Sequence, residues 1–173
     1  IDEDDRTWIG NPQPDFIYGL NLNLEYKNFD FTAFFQGVHN VDVVSNVKRH
    51  TDFWSVQDTY GNKGRRLLDA FDPVTNPDSD IPSVSSVDDN NEGRMSTYYV
   101  ENGSYLKLRN VQLGYTLPKE LSERIKLSKL RLYVSGQNLW TLKSKSFTGK
   151  DPENPNYGYP IPMTFTMGLN ASF

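Results

Sequence analysis

The stretch that decides the fold is MTFTMGLNASF, residues 163–173. Its alternate positions are apolar, and the residues between them are small or polar. Side chains of a β-strand point alternately to its two faces, so the pattern predicts a strand with a different solvent on each side. Phe165, Met167 and Leu169 lie on the apolar face, and Thr166 lies on the other. The alternation continues to the aromatic Phe173, at a position where many chains fray.

The same alternation marks four segments upstream. Together with the last one, the predicted strands are 16–26, 29–38, 104–117, 129–140 and 162–173. The first two are separated only by Lys27-Asn28, a two-residue connection that predicts a tight hairpin. We therefore expect an all-β fold with five antiparallel strands.

The third predicted strand alternates cleanly only in its second half, at Val111, Leu113 and Tyr115. In the first half, Lys107 and Arg109 occupy the phase of these apolar residues. Burying a charged side chain in an apolar layer is costly. We therefore expect the first half of this strand to lie outside any such layer.

The segment LPKELSERIKLSKL, residues 117–130, interrupts the alternation. Pro118 suits the first turn of a helix, and Glu120 and Glu123 are favourable near a helix N-terminus. This segment therefore predicts one short helical turn between the third and fourth strands.

The connections between the strands alternate between short and long. Strands one and two, like strands three and four, are closely joined, whereas residues 39–103 and 141–161 form long loops. Outer-membrane barrels show this asymmetry, with short periplasmic turns and long extracellular loops. Strands of about 9–11 residues also suit a bilayer better than a typical globular sheet. The pattern predicts a barrel wall with extracellular segments at 1–15, 39–103 and 141–161.

Aromatic residues gather at the end of the strands where the short turns lie. Tyr26, Phe29, Tyr115 and Phe173 are the apolar-face residues nearest that end. Membrane barrels place such girdles at the bilayer interface. Five strands are too few to close a barrel, since the smallest has about eight, so we expect part of a larger wall. A soluble β-sandwich, which also has alternating strands, stays open as an alternative.

Composition excludes several classes of protein. The 173 residues carry a formal net charge of −4 with a pI of about 5.2, which gives no basic surface for nucleic acid. There are no cysteines, so disulfide frameworks and zinc fingers are excluded. The mean hydropathy is −0.64, and no run reaches the roughly 18 apolar residues of a membrane helix. A β-barrel is compatible with these values because only one face of its strands is apolar.

No pattern of residues indicates catalysis, a metal or a cofactor. His39 and His50 lie outside any HExxH-type context. The stretch DDNNEG, 88–93, begins like a calcium loop, but Tyr99 stands where the loop needs a bidentate Glu. We therefore predict no enzyme activity, no metal site and no cofactor. The acidic stretch is more typical of a solvated loop rich in Asx turns.

Six aromatic residues fall in or beside the long loops and are candidate contacts for a substrate or a partner. Aromatic rings can stack on the faces of sugar rings, although packing among the loops or in the girdle is the default explanation for any single residue. The candidates are Trp8, Trp54, Tyr60, Trp140, Tyr157 and Tyr159.

Four stretches taken together resemble the C-terminal end of the SusC/RagA family of TonB-dependent outer-membrane transporters. The resemblance covers nearly the whole chain, apart from the middle of the long loop. The stretches are DRTWIGNPQPDFIYGLNLNLEYKNFDFTAFFQGV (5–38), NGSYLKLRNVQLGYTLP (102–118), LRLYVSGQNLWTLKSKSFTGKDPE (130–153) and the terminal GLNASF.

The resemblance implies a large plugged barrel of the 22-stranded type, of which residues 1–173 would supply the last five strands and the plug domain would be absent. The family imports glycans, and in some members peptides, across the Bacteroidetes outer membrane. The implied partners are TonB, acting through an upstream region, a SusD-like surface lipoprotein, and outer-membrane lipid. The resemblance also implies that Phe173 is a barrel assembly signal.

A rival interpretation is a secreted β-sandwich module that binds carbohydrate through exposed aromatic residues. It predicts that residues 1–173 fold cooperatively in plain buffer. A piece of barrel wall would instead aggregate without detergent, because its apolar face and its sheet edges would be exposed.

Overall fold

The computed structural model describes residues 6–53, 56, 61–88 and 91–173. The described elements are mostly strands. The strands are β1 (Phe16–Tyr26), β2 (Phe29–His39), β3 (Asp42–Val44), β4 (Val100–Asn102), β5 (Tyr105–Thr116), β6 (Lys129–Lys143) and β7 (Thr164–Ser172); the helices are α1 (Asn46–Thr51) and α2 (Lys119–Arg124), with 3₁₀ turns at Arg65–Asp69 and Thr97–Tyr99. None of the helices in these ranges is long and apolar enough to cross a bilayer.

The chain divides into two compact units. The first, which we call the sheet unit, comprises residues 15–39, 104–143 and 161–173. The second, the loop unit, comprises residues 1–14, 40–103 and 144–160. The sheet unit therefore contains the five long strands, and the loop unit contains the long connections between them.

The sheet unit is one five-stranded sheet in the order β1-β2-β5-β6-β7. Every neighbouring pair is antiparallel, so the prediction of five antiparallel strands is confirmed. A sandwich requires two packed sheets, whereas the other described strands form only the two-stranded ribbon β3-β4. Among the described residues, β1 and β7 pair on one side only. The sheet is thus open and does not close into a barrel by itself.

The strand register keeps the apolar residues on one face of the sheet. Leu22 pairs with Ala33, which pairs with Val111. The row continues through Gly136 to Phe165. Directly paired residues in an antiparallel sheet share a face, so the alternation read from each strand adds up to one apolar face across the sheet.

A β-bulge at Arg109 corrects the prediction for the first half of the third strand. Asn110 pairs with Phe34 and Leu108 pairs with Phe35, so the register between β2 and β5 skips Arg109. The extra residue reverses the phase, which places Leu108 on the apolar face and Lys107 on the polar one, opposite Gln36. The first half of the strand thus belongs to the two-faced layer, because the bulge resolves the conflict that simple alternation could not.

The apolar face is widely exposed in this chain. At its turn end, the rings of Phe29 and Tyr115 lie 4.7 Å apart, and Tyr26 pairs with Phe29, as the predicted girdle requires. An exposed apolar surface of this extent in water would favour aggregation. Its exposed members include Phe16, Leu20, Leu24, Leu113, Leu132, Val134, Leu142, Phe165, Met167 and Leu169.

The opposite face carries polar side chains that pair across strands. Arg131 of β6 donates to Asp30 of β2 at 2.9 and 2.5 Å, and the two side chains meet over β5 at Gly114. A side chain at Gly114 would overlap both, so the glycine makes room for the ion pair. Arg109 similarly donates to Gln36 at 3.0 Å. This face therefore carries polar and charged side chains, as the alternation predicted.

The loop unit has a small core of its own. Ser45 accepts a hydrogen bond from the Lys48 N–H at the start of α1, as an N-cap residue does. The buried apolar residues of the loop unit include Phe53, Tyr99 and Phe147. The ring of Tyr99 packs edge-on against Phe53 at 6.3 Å. The described parts of the long connections are therefore ordered by packing even though they contain little regular secondary structure.

Candidate binding site

The loop unit is organised around the carboxylate of Asp52, which is completely buried. Arg66 donates to it from Nε at 2.8 Å and from Nη2 at 2.5 Å. Tyr98 donates its hydroxyl at 2.5 Å, and Thr51 donates at 2.9 Å. A buried charge is tolerated when it is paired and hydrogen-bonded in this way. We call these four residues the Asp52 hub; it joins α1 to both 3₁₀ turns.

Burial changes the acidity of two tyrosines beside the hub. Burial, followed by the hydrogen bond to Asp52, raises the pKa of the Tyr98 hydroxyl far above its usual value. Burial also raises the pKa of Tyr99 to about 12, and the Tyr99 hydroxyl donates to the backbone carbonyl of Glu92 at 2.6 Å. Both tyrosines are thus neutral hydrogen-bond donors at physiological pH.

A second polar contact joins the two long loops. Thr148 donates to the Glu101 carboxylate from its backbone N–H at 3.0 Å and from its hydroxyl at 2.8 Å. Lys48 Nζ lies 3.3 Å from the same carboxylate. Glu101 is only 4% exposed. Ser45 and Thr148 share a hydrogen bond at 3.2 Å. These contacts attach the start of segment 144–160 to β4 and α1.

From Thr148 onwards, this segment lines an open pocket of about 470 Å³. Ligand pockets in proteins commonly measure about 300–1,000 Å³. Val47 of α1 forms part of the lining, and the rest comes from residues 148–151 and 154–160 without Pro155. Tyr157 and Tyr159 both line it, so the structure brings together two of the aromatic residues singled out in the sequence.

His50 fixes the position of the Tyr157 ring. The two rings stack with centroids 4.6 Å apart and planes inclined by 21°. His50 lies in the last turn of α1, so one face of Tyr157 is anchored to the helix. Tyr157 remains 54% exposed, and Tyr159 is 96% exposed. The pocket therefore has one anchored ring and one that stands in solvent.

A chain of side-chain amides forms the polar part of the site. Asn46 donates from Nδ2 to Asn156 Oδ1 at 2.8 Å, and Asn156 donates to Asn154 Oδ1 at 3.1 Å. Asn154 and Asn156 line the pocket. The hydrogen bond from Asn46 orients this chain of amides from α1. Each amide group has further hydrogen-bonding capacity, so the chain can also bind a ligand.

The other predicted contact residues lie elsewhere. Trp8, which is 96% exposed, contributes to a separate shallow pocket with its neighbours 6–10. Trp140 lies inside β6 and pairs with Leu108, which places it on the apolar face of the sheet. Trp54 and Tyr60 lie outside the described residues. Phe173 follows directly after β7 and is 98% exposed.

Three asparagines of the amide chain, two of which line the pocket, were not singled out by the sequence. Asn46, Asn154 and Asn156 come from two distant segments, and only folding brings them together. The signal in the sequence was the run NPNYGYP, 154–160, in which two asparagines flank a proline and two tyrosines flank a glycine. No group of three or more His, Asp or Glu residues among the described ranges could hold a metal ion.

An open antiparallel sheet with one apolar face, whose strands are joined by alternating short turns and long loops, has the architecture of a segment of transmembrane β-barrel wall. Comparisons with known proteins refine this class. No family model matches the chain. It is 37% identical to TonB-dependent receptor P3 of Formosa agariphila, in an alignment covering 98% of this chain and 17% of that protein. It is 29% identical to the TonB-dependent receptor SusC of Bacteroides thetaiotaomicron, over 100% of this chain and 16% of SusC.

Solved structures agree with these relatives. The RagAB peptide importer in its open-open state superposes with a TM-score of 0.73 at 26% identity, over 93% of this chain and 17% of that one. The chain is thus homologous along almost its whole length to TonB-dependent receptors of the SusC/RagA family, as the sequence resemblance indicated. It spans less than a fifth of the length of each relative.

Proposed function

We propose that the chain forms five strands and two long loops in the C-terminal part of a TonB-dependent outer-membrane receptor that imports nutrients, either glycans or peptides. The observation that carries this proposal is the apolar face that continues across all five strands. Water is a poor solvent for that face, whereas lipid is a good one. In this proposal the segment has a structural and binding role and catalyses no reaction.

The orientation follows from the connections. The β1-β2 turn and the α2 connection join strands at one end of the sheet, where Tyr26, Phe29 and Tyr115 form the girdle. We place this end at the periplasmic interface. Residues 39–103 and 141–161 then face the cell exterior, and the face with Asp30 and Arg131 lines the wet interior of the barrel.

Energy and partners come from outside this segment. Homology to SusC and to a RagAB importer supports uptake driven through TonB and a SusD-like lipoprotein at the outer surface. The plug domain and the TonB-contacting region would belong to the remainder of the receptor. The ordered loop unit is the part of this segment suited to meet substrate or lipoprotein, and we assign the substrate contact to Tyr157 and Tyr159.

The decisive experiment uses the full-length receptor in its own cell. Outer-membrane fractionation should recover the receptor, and unheated samples should migrate faster than heated ones in detergent gels. Deletion of the receptor should reduce uptake of at least one glycan or peptide pool. Recovery in the soluble fraction without heat-modifiable migration would refute the proposal. Cooperative folding of residues 1–173 in plain buffer would favour the secreted binding module instead.

Phe173 can be tested separately as an assembly signal. Phe173→Ala should lower the amount of receptor assembled in the outer membrane, because the assembly machinery would lose its terminal aromatic. Phe16→Ala is a matched control, since Phe16 is a 66% exposed aromatic residue at the start of β1. Equal outer-membrane amounts of both variants and wild type, measured by quantitative blotting, would exclude this role.

A further inference from the structure

We propose that the turn end of the sheet unit, meaning the turn at Lys27-Asn28 and residues 117–129, binds the phosphate groups of anionic phospholipid headgroups. This assignment rests on the proposed outer-membrane function and names the lipid chemistry at one interface of the barrel wall. Three features carry it. They are two lysines in an unfavourable backbone conformation, an ammonium beside the aromatic girdle, and an exposed apolar pair on α2.

The first feature is the backbone conformation of Lys27 and Lys126. Lys27 has a φ of 54° and Lys126 a φ of 60°, so both lie in the left-handed region. The other described residues with positive φ are asparagines, which tolerate this conformation better than lysine does. Glycine would adopt it more easily still. Backbone geometry alone therefore favours other residue types at both positions, and a role for the two side chains accounts for the lysines.

The hydrogen bonds at this end place the two lysines in neighbouring connections. The backbone N–H of Thr116 donates to the carbonyl of Asn28, in the β1-β2 turn, at 2.8 Å. The N–H of Leu117 donates to the carbonyl of Leu130 at 2.8 Å and closes the β5-β6 connection, which contains α2 and Lys126. Adjacent strands lie about 4.8 Å apart. The turn and this connection are therefore neighbours at the same end of the sheet.

The second feature is the position of the Lys27 ammonium. Its Nζ lies 5.2 Å from the centre of the Tyr26 ring, and Tyr26 is an exposed residue of the apolar face. Girdle tyrosines lie at the headgroup level of a bilayer, and lysine side chains beside them extend towards the polar headgroups. In a membrane, the Lys27 ammonium would therefore lie at the level of the lipid phosphates.

The turn end is basic although the chain as a whole is acidic. Its two connections carry five basic and two acidic residues, whereas the net charge of the chain is −4. One of the two acids, Glu123, lies 3.6 Å from Lys119. Within the described ranges, Lys27, Arg124 and Lys126 form no ion pair with a carboxylate. Their charges can therefore pair with an external anion.

The nearest acids of the strands lie on the opposite face of the sheet. Glu25 and Asp30 face each other across β1 and β2, and Asp30 is paired with Arg131 on the polar face. At the far end of the apolar face, the register pairs carry no fixed charge among the described residues; they are Phe16 with His39 and Leu106 with Leu142. The apolar face is thus flanked by positive charge at its turn end.

The third feature separates a lipid from free phosphate. Leu121 and Ile125 are both exposed, and their four-residue spacing places them on one side of α2. The basic residues Arg124 and Lys126 flank Ile125 in the sequence. Amphipathic segments in the headgroup layer direct apolar side chains towards the acyl chains and basic ones towards the phosphates. Free phosphate would use only the basic residues, whereas a phospholipid can also cover the apolar pair.

The test uses the full-length receptor purified in a non-ionic detergent. Native mass spectrometry measures the lipid that it retains from mixtures of dioleoylphosphatidylglycerol, which is anionic, and dioleoylphosphatidylcholine, which is zwitterionic. Wild type should retain phosphatidylglycerol preferentially, and about 1 M salt should suppress the preference by screening. The double variant Lys27→Asn with Lys126→Asn should weaken retention of phosphatidylglycerol by about fivefold for each lysine, the effect expected of one basic residue at an anionic lipid surface.

Three further variants complete the design. Asparagine tolerates positive φ, so the double variant should migrate normally in the heat-modifiability assay, and loss of binding cannot be mistaken for loss of folding. Lys145→Asn with Lys150→Asn is the matched control, because both are exposed lysines of the loop unit; it should bind like wild type. Lys27→Arg with Lys126→Arg keeps both charges and should keep the preference. Leu121→Gln should weaken retention of both lipids alike.

Several results would overturn the assignment. Equal retention of the two lipids by wild type would reject an anionic headgroup. An equal loss in the loop-unit control and in the turn-end variant would show that only the total charge matters. Displacement of the lipid by excess inorganic phosphate, with no effect of Leu121→Gln, would indicate a site for free phosphate. None of these results affects the outer-membrane location, whereas recovery of the receptor in the soluble fraction would refute the proposed function itself.

Discussion

Different interactions stabilise each of the two units of this chain. The sheet unit relies on backbone ladders between five long strands, and it buries few large apolar side chains, with Phe165 75% and Met167 81% exposed. The described part of the loop unit has two short strands, yet it buries Phe53, Tyr99 and the Asp52 carboxylate of an ion pair. If the apolar face contacts lipid, as proposed, it needs no packing partner within this segment. The loop unit, in contrast, has its own small core.

The difference extends to the charged residues. In the sheet unit, Asp30 and Arg131 pair on the polar face with partial exposure of both side chains. In the loop unit, Asp52 is completely buried and receives hydrogen bonds from three residues. Both side chains of the Asp30–Arg131 pair are partly exposed and screened by solvent, whereas the Asp52 carboxylate is shielded from solvent and only its partner Arg66 is partly exposed. The same kind of ion pair should therefore contribute differently in the two units.

The largest expected effect comes from Asp52→Ala. Removing the carboxylate leaves the half-buried Arg66 guanidinium without its counter-charge, which should destabilise the loop unit by about 3–5 kcal/mol. Hydrogen exchange in the full-length receptor should increase across residues 40–103. Heat-modifiable migration should stay normal, because the sheet does not depend on the hub.

Asp78→Ala provides the matched control for this variant, since Asp78 is an exposed carboxylate in the same loop. It should leave exchange unchanged. If Asp52→Ala slows assembly of the barrel or leaves loop exchange at the wild-type rate, the two units are not stabilised independently.

The next largest effect is expected from a charge on the apolar face. Leu22→Arg places a guanidinium in the middle of β1, at a cost of about 2–4 kcal/mol if that face contacts lipid. Folding of the receptor into lipid vesicles, titrated with urea, would measure the loss. Asn23→Arg, on the opposite face of the same strand, and Leu68→Arg in the loop unit should each cost much less. Equal costs for the three would mean that the apolar face does not meet lipid.

A smaller effect is expected for the coupling free energy of the ion pair between Asp30 and Arg131. A double-mutant cycle with Asp30→Asn and Arg131→Gln should give a coupling of about 1 kcal/mol, as expected for a partly exposed pair with good geometry. The exposed pair between Lys119 and Glu123, 3.6 Å apart in α2, is the reference and should give about 0.3–0.5 kcal/mol. Urea titration of the refolded receptor measures both. A coupling for Asp30 and Arg131 no larger than the reference would contradict the inferred role of Gly114 in bringing them together.

The smallest effect is a change with alkaline pH that is confined to the loop unit. The pKa of Tyr99 is raised from 10.0 to about 12, and that of Tyr98 is raised further. Because the pKa of Tyr99 is higher in the folded state than in the unfolded state, the neutral hydroxyl stabilises the folded loop unit. This stabilisation is complete below pH 10 and is lost as the pH rises towards and beyond 12. Absorbance titration of tyrosinate should show late-ionising groups that Tyr98→Phe and Tyr99→Phe remove one by one. Ionisation of all tyrosines near pH 10 would contradict the burial of this pair.

The sequence alone determined the layout of the sheet. Strict alternation in segments such as 16–26 follows from the two-residue period of a strand, which is a local property. The two-residue turn at Lys27-Asn28 fixed the first hairpin in the same way. The resemblance to the SusC/RagA family was also visible in the residues, and the homologues agree with it.

The tertiary structure decided what depended on distant partners. The bulge at Arg109 is visible only from the pairing of β5 with β2 and β6, since a single strand does not show where its ladder skips a residue. The Asp52 hub joins residues more than forty positions apart, and so does the amide chain from Asn46 to Asn156. No local period connects such residues. Backbone periodicity therefore made the barrel wall predictable, whereas the loops and their pocket depend on side-chain contacts that form only when the chain folds.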